Sequence, residues 1–217
     1  MQIILSDTNP GVVQSWRHYF PDCQDVTIFP GSIFDTDCNT IVSPANSFGF
    51  MDGGLDLALS HYLGWHVQER LQTKIRQKHH GELLVGQAEI VATDHPKIPY
   101  LISAPTMRVP MILTGTVNVY LAMRAILLLI KHGTLEDRTP VREVVTRVAI
   151  SGLGTGVGKV PAEICAKQMR AAYDEVILAK ESFPASWVQA QRNHQLLYAE
   201  RTRDLQYYQN LDWEDNA

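Results

Sequence analysis

The amino-acid sequence predicts an α/β fold with a largely parallel sheet covered on both faces. Short apolar runs typical of buried strands alternate with amphipathic helical patterns along the chain. The chain has 217 residues, of which 45% are hydrophobic. A chain of this size can bury roughly 70% of its unfolded surface around one core without a disulfide or a metal. We therefore expect one domain over residues 1–180 and a C-terminal helical extension over residues 181–217.

The first half of the chain alternates strands with helices. Apolar runs predict strands at residues 3–5, 26–29 and 40–43. Asp7 to Pro10 supplies a cap and a first-turn proline for a helix that runs to about Tyr19. After Gly53-Gly54, apolar residues recur with the spacing of one buried helix face as far as Gly64. A second surface helix, with an apolar residue every fourth position, follows at residues 67–78.

The second half continues the pattern. Strands are expected at residues 88–91, 100–103 and 148–150, with a proline-bounded loop at 105–110 and an apolar helix at 114–132. Pro161 begins a last core helix. Beyond residue 181 the chain becomes polar, with a helical stretch from Pro184 and the aromatic residues Trp187, Tyr198, Tyr207, Tyr208 and Trp213. These aromatics pack on the domain or form a tail that binds a partner.

Two glycine-rich turns, about a hundred residues apart, are the most informative feature of the sequence. The first contains Asn46 and Gly53-Gly54-Leu55-Asp56, and the second contains residues 152–158, GLGTGVG. Each lies between a predicted strand and a predicted helix. Glycine lets the backbone approach a ligand closely, and the first amides of the following helix have no intrahelical acceptor. The two turns predict a ligand with two separated anionic or hydroxyl-rich parts, such as a diphosphate flanked by sugars.

Composition and motifs exclude several other classes of site. With a net charge of −4 and 19 dispersed basic residues, the chain has little electrostatic support for general nucleic-acid affinity. Leu153 and Val160 break the P-loop pattern, and Val157 breaks the dinucleotide fingerprint. There is no nucleophile elbow and no zinc motif, so neither a metal nor a cofactor is expected. The unpaired cysteines and the lack of a long apolar stretch favour a cytoplasmic protein without a membrane segment.

Three features of the sequence resemble the macrodomain family of ADP-ribose-binding modules. They are residues 41–46, IVSPAN, the run Gly53-Gly54-Leu55-Asp56, and the late glycine turn after a strand. The resemblance covers roughly residues 1–178. It implies a three-layer α/β/α fold with a mixed, largely parallel central sheet. It also implies that the partner is ADP-ribose or an ADP-ribosylated macromolecule.

The resemblance assigns roles to individual positions. Asn46 matches an asparagine that contacts the distal ribose, and Gly53 and Gly54 match the glycines beside it. The loop that holds the diphosphate would be formed by Gly154, Thr155, Gly156, Val157 and Gly158. Asp56 matches the acid that assists catalysis in the hydrolase branch, so Asn46 and Asp56 are the candidate catalytic residues. Two simpler roles remain open, a turn-forming asparagine at Asn46 and a helix-dipole interaction at Asp56.

The sequence departs from the family pattern at several positions. Ser43 stands where the family pattern has the first of its two asparagines. Ser32 replaces the aspartate that usually receives the adenine amino group, and Ile33 follows it in the predicted base site. Asp7 is a candidate for the missing carboxylate, with helix capping as its alternative role. Val157 stands where many hydrolytic members carry an aromatic residue, and Phe48 or Phe50 is a candidate replacement.

Taken together, these features predict that the protein binds ADP-ribose or a close derivative and hydrolyses an ester or glycosidic bond at the distal ribose. The dipole and free amides at the start of the helix are expected to favour the ionised form of Asp56. A noncatalytic ADP-ribose reader and a scaffold for protein interaction are the two alternatives.

Overall fold

The computed structural model describes residues 1–180 and 183–199, and a single six-stranded sheet organises them. Its order is β2-β1-β6-β3-β5-β4. Every pair of neighbouring strands is parallel except β4 and β5, which are antiparallel. The strands are β1 (Gln2–Asp7), β2 (Val26–Pro30), β3 (Thr40–Ser43), β4 (Glu89–Ala92), β5 (Tyr100–Ser103) and β6 (Arg147–Ile150). The prediction of a mixed, largely parallel sheet is confirmed.

Helices connect these strands, as expected from the alternating pattern. They are α1 (Pro10–Tyr19), α2 (Gly54–Leu63), α3 (His66–Lys78), α4 (Asn118–His132), α5 (Val141–Val144), α6 (Ala162–Val176) and α7 (Trp187–Leu196). The sequence did not predict α5 or the 3-10 turn Ile33–Asp35. Both are too short for a hydrophobic period to show, since a helical period needs a window of at least about 11 residues.

Two apolar cores lie on opposite faces of the sheet. Ile3 and Leu5 of β1 point to one face and belong to the core that includes Trp16 of α1, together with residues of α4 and α6. Ile4, between them, points to the other face and joins the core that includes Leu59 of α2 and residues of α3. Because successive strand residues alternate faces, helices cover both sides of the sheet. The three-layer α/β/α arrangement is confirmed.

The C-terminal helix α7 lies after Pro184 and is followed by residues that pack on the domain. Tyr198 contacts the core that contains Trp16. Lys167 Nζ donates to the carbonyl of Ala199 at 3.0 Å. Trp187 is 76% exposed, and a partner-binding role for it stays a prediction. Tyr207, Tyr208 and Trp213 lie outside the described residues.

None of the helices in residues 1–180 and 183–199 is both long and apolar enough to cross a membrane.

Candidate functional site

A cleft of about 760 Å³ lies at the edge of the sheet where the five parallel strands end. Both glycine-rich turns line it, so the structure brings them together on one side of the molecule. Of the predicted site residues, Ser43 alone does not line the cleft, because it is fully buried at the end of β3. The others that line it are Ser32, Ile33, Asn46, Gly53, Gly54, Asp56, Gly154, Thr155, Gly156, Val157 and Gly158.

Asn46 organises the first turn through its side chain. Its Oδ1 accepts hydrogen bonds from the amides of Phe48 at 3.1 Å and Phe50 at 3.3 Å, and its Nδ2 donates to the Phe50 carbonyl at 2.8 Å. These bonds give Asn46 the turn-forming role that the sequence left open. The residue still lines the cleft, and its contact with a ligand stays a prediction.

The first turn leads into the N-terminus of α2, which has no side-chain cap. Gly53 is the N-cap residue, and Gly54 has a φ of +56°, a backbone conformation that favours glycine. Both glycines are exposed, and a Cβ atom at either one would meet no neighbour within 4 Å. Because the first amides of a helix have no intrahelical acceptor, they remain available to an anion in the cleft.

The second turn is held in shape by its own hydrogen bonds and by β1. Thr155 Oγ1 donates to the Gly152 carbonyl at 2.8 Å, and the Val160 amide donates to the Gly154 carbonyl at 3.1 Å. Asp7 Oδ2 accepts from the Gly152 amide at 3.1 Å.

Three amides of the second turn have no acceptor among the residues that the structure describes. Within the described part of the chain, no carbonyl or side-chain oxygen pairs with the amides of Gly156, Val157 and Gly158. All three residues line the cleft. Consecutive amides of this kind form an anion-binding concavity.

Asp56 lies in the first turn of α2, and its side chain is buried against the end of β3. Ser43 Oγ donates to its Oδ1 at 2.6 Å, and the residue is only 8% exposed. Burial raises the pKa of the Asp56 carboxyl from 3.8 to about 6. The Ser43 hydrogen bond opposes this rise in pKa, and the nearby charge of Asp52 adds to it.

The expected stabilisation of ionised Asp56 by the helix dipole is therefore wrong in direction. Loss of hydration is the largest cause of the shift, and the pKa of Asp56 rises rather than falls. A carboxyl with a pKa of about 6 is still mostly ionised at pH 7. A pKa near the working pH is also the value that suits a general base.

Elsewhere in the cleft, Ser32 and Asp7 make hydrogen bonds within the protein, and the ligand contacts expected of them stay predictions. Ser32 Oγ accepts from the Phe34 amide at 3.3 Å and caps the 3-10 turn. Asn9, and not Asp7, caps α1, since its side chain accepts from the Gly11 amide. The carboxylate of Asp7 instead joins the end of β1 to the second glycine turn.

The aromatic candidates Phe48 and Phe50 differ in their surroundings. Phe50 is 51% exposed and Val157 is 54% exposed, and both line the cleft. Phe48 lies under the Arg108 guanidinium at 5.1 Å, and Arg108 is paired with Glu82 at 2.7 Å.

Lys159 and Phe34 also line the cleft, although the sequence analysis assigns neither of them a role. The position of Lys159 directly after the second turn was the available signal, since a residue next to an anion-binding loop can reach the same ligand. The backbone of Lys159 has a φ of +55°. No local signal marked Phe34, because it enters the cleft through the unpredicted 3-10 turn.

Within residues 1–180 and 183–199, no group of three or more histidine, cysteine, aspartate or glutamate side chains is placed to hold a metal ion.

Comparisons with known proteins agree with this architecture. The family model described as Macro domain matches residues 42–169. An uncharacterized protein of Aquifex aeolicus is 34% identical over 145 residues, which is 67% of this chain and 78% of that protein.

Two solved structures share the fold. The macrodomain of Mycobacterium tuberculosis DarG has a TM-score of 0.54 and 17% identity, with 67% of this chain and 87% of that chain covered. A glycine-to-valine variant of the Oceanobacillus iheyensis macrodomain was solved with ADPR (ADP-ribose). It has a TM-score of 0.53 and 17% identity, with 86% of this chain and 91% of that chain covered. Other solved variants of that macrodomain replace an asparagine and an aspartate.

The family model covers more than half of the chain, and the relative and the fold agree with it. The protein belongs to the macrodomain family.

Proposed function

We propose that the cleft binds ADP-ribose or a close derivative and that the protein hydrolyses an ester or glycosidic bond at the distal ribose. The observation that carries the proposal is the meeting of two amide-bearing turns in one cleft. A diphosphate placed between the N-terminus of α2 and the second turn would receive hydrogen bonds from both. Support also comes from the Oceanobacillus iheyensis macrodomain, which was solved with ADPR.

The order of the strands gives the bound ligand a direction. Along the edge of the sheet, the loops after β2 and β1 come first, the second glycine turn after β6 lies in the middle, and the loops after β3 and β5 come last. The apolar residues Ile33 and Phe34 line the first end, and Asn46 and Phe50 line the last. We place the base at the first end, the diphosphate at the middle and the distal ribose at the last end.

In the proposed reaction Asp56 acts as general base. One carboxylate oxygen accepts a hydrogen bond from Ser43, and the residue lines the cleft, so we assign the other oxygen to the attacking water molecule. The carboxylate takes a proton from water as the water oxygen attacks the anomeric carbon, or the acyl carbon of an ester. The bond to the leaving oxygen breaks with its electron pair, and protonated Asp56 returns the proton to that oxygen. A positioned base of this kind contributes roughly 10²- to 10⁴-fold. In this proposal Asn46 shapes the turn around the ribose.

Two measurements on the purified protein test the proposal. Calorimetry with ADP-ribose tests the binding, and release of ADP-ribose from an ADP-ribosylated protein tests the turnover. Asp56→Asn is expected to lower kcat by roughly 10²-fold or more while leaving the affinity for ADP-ribose within a few-fold. Asp35→Asn, at an exposed carboxylate of the 3-10 turn, is the matched control and should change neither.

The outcomes separate the alternatives. Binding without turnover on any acceptor favours a noncatalytic reader. Lack of binding favours a scaffold for protein interaction and contradicts the proposal. The cytoplasmic location expected from the cysteine usage is part of the same proposal.

A further inference from the structure

Three aromatic rings in tilted contact run from the cleft towards the protein surface. The ring centroids of Phe34 and Tyr62 are 4.7 Å apart with an interplanar angle of 40°, and those of Tyr62 and His95 are 5.1 Å apart at 34°. Phe34 lines the cleft, whereas Tyr62 is 42% exposed on its outer side. Neither the family resemblance nor the proposed catalytic step assigns a role to these rings.

The outermost of the three rings, that of His95, is held by hydrogen bonds to the backbone around it. His95 Nδ1 accepts from the amides of Lys97 at 3.3 Å and Ile98 at 3.2 Å. The preceding residue, Asp94, pairs with Arg70 of α3 at 2.6 Å. The imidazole therefore sits in a turn that is tied to a helix.

The middle ring is fixed by α2. Tyr62 lies two turns after Leu55 on that helix, and Leu55 lines the cleft. Tyr62 is thus placed by the same helix whose first amides border the cleft. The ring of Phe34 packs against Tyr62 on one side, which fixes its orientation at the cleft wall.

The polar groups near Phe34 are already engaged with the protein. Ser32 Oγ accepts from the Phe34 amide, and the two oxygens of Asp7 accept from the amides of Asn9 and Gly152. At this end of the cleft the wall offers an aromatic ring and apolar side chains, and the oxygens of Ser32 and Asp7 each already accept one hydrogen bond from the protein. A flat ring bound here gains more from stacking than from hydrogen bonds.

We propose that Phe34, held by Tyr62 and His95, forms a stacking subsite that selects purine bases by ring area and accepts both adenine and guanine. The ligand class is then purine nucleoside diphosphate ribose rather than ADP-ribose alone. Phe34 contacts the base, and Tyr62 and His95 are positioning residues. This inference rests on the proposed binding function.

The test compares four ligands on the intact protein by calorimetry: ADP-ribose and its guanine, cytosine and uracil counterparts. The guanine ligand is expected to bind within about fivefold of ADP-ribose, and the uracil ligand about tenfold more weakly, because the smaller ring stacks less. Phe34→Leu should weaken ADP-ribose about tenfold and the uracil ligand much less, so that the purine-to-pyrimidine ratio falls towards one.

A positioning role makes separate predictions for Tyr62. Tyr62→Ala should lower the same ratio about threefold, and Tyr62→Phe, which keeps the ring, should restore it. Trp65→Leu is the control, since Trp65 is an exposed aromatic residue that does not line the cleft. A fluorescent etheno-adenine form of ADP-ribose should be quenched on binding to the native protein and less quenched with Phe34→Leu.

The results distinguish this inference from the function on which it rests. If ADP-ribose binds but Phe34→Leu leaves the purine-to-pyrimidine ratio unchanged, the stacking subsite is wrong and the binding function stands. A guanine ligand that binds as weakly as the uracil ligand also overturns the subsite. If the native protein binds none of the four ligands, the proposed function fails and the subsite with it.

Discussion

Replacing Asp56 by asparagine should stabilise the protein at neutral pH even as it removes the proposed base. The folded-state pKa of Asp56 is about 6 and its ordinary value is 3.8. Between these values the folded protein binds more protons than the unfolded chain, so stability falls as the pH rises. At about 1.4 kcal/mol per pKa unit, the ionised carboxylate costs about 3 kcal/mol above pH 6.

Asparagine carries no charge and can still accept the hydrogen bond from Ser43, so the substitution should avoid this cost. The assay is urea unfolding of the native protein and of Asp56→Asn at pH 4, 6 and 8. We expect similar stabilities at pH 4 and an advantage for the variant that grows to at most about 3 kcal/mol by pH 8. Asp35→Asn, at an exposed carboxylate, should show no such advantage. Equal stabilities at pH 8, or an advantage that does not change with pH, would refute the reasoning.

The other predictions concern activity and the second turn. Turnover should fall about tenfold for each pH unit below about 6, as Asp56 becomes protonated. Ser43→Ala should move this loss to higher pH, because the Ser43 hydrogen bond lowers the pKa of Asp56. A pH profile of kcat that is flat down to pH 5 would contradict both predictions. A Cβ atom at Gly158 would lie 2.5 Å from the Gly154 carbonyl oxygen. Gly158→Ala should therefore destabilise the fold by about 1–3 kcal/mol, as measured by thermal unfolding. The same substitution should weaken ADP-ribose binding, as measured by calorimetry. Gly156→Ala, where a Cβ atom meets nothing within 4 Å, is the matched control, and equal effects of the two substitutions would argue against the turn geometry.

Much of the fold follows from local patterns. The apolar runs identified the six strands of the described sheet, because strands buried on both faces are nearly continuous runs of apolar residues. The helical spacings identified the long helices, because these repeat their burial pattern over enough residues to show a period. The glycines of both turns were also visible, since Gly54 and Gly154 have positive φ values that other residues rarely adopt.

What the sequence could not show depends on contacts between distant residues. Asp7 and Gly152 are 145 positions apart, so the hydrogen bond that redirects Asp7 from capping to the second turn has no local signal. The direction of the Asp56 pKa shift depends on burial against the end of β3. The side chain of Asn46 could satisfy its own turn or a ligand, and the residue type is suited to both.

The central claim is that main-chain amides of both turns hold the diphosphate of one ligand. Its most direct test is a titration of the ¹⁵N-labelled protein with ADP-ribose, followed through the backbone amide resonances. The amides of Gly54 and Leu55 and those of Gly156, Val157 and Gly158 should shift together and saturate with one Kd. Shifts confined to one turn, or absent from both, would contradict the claim.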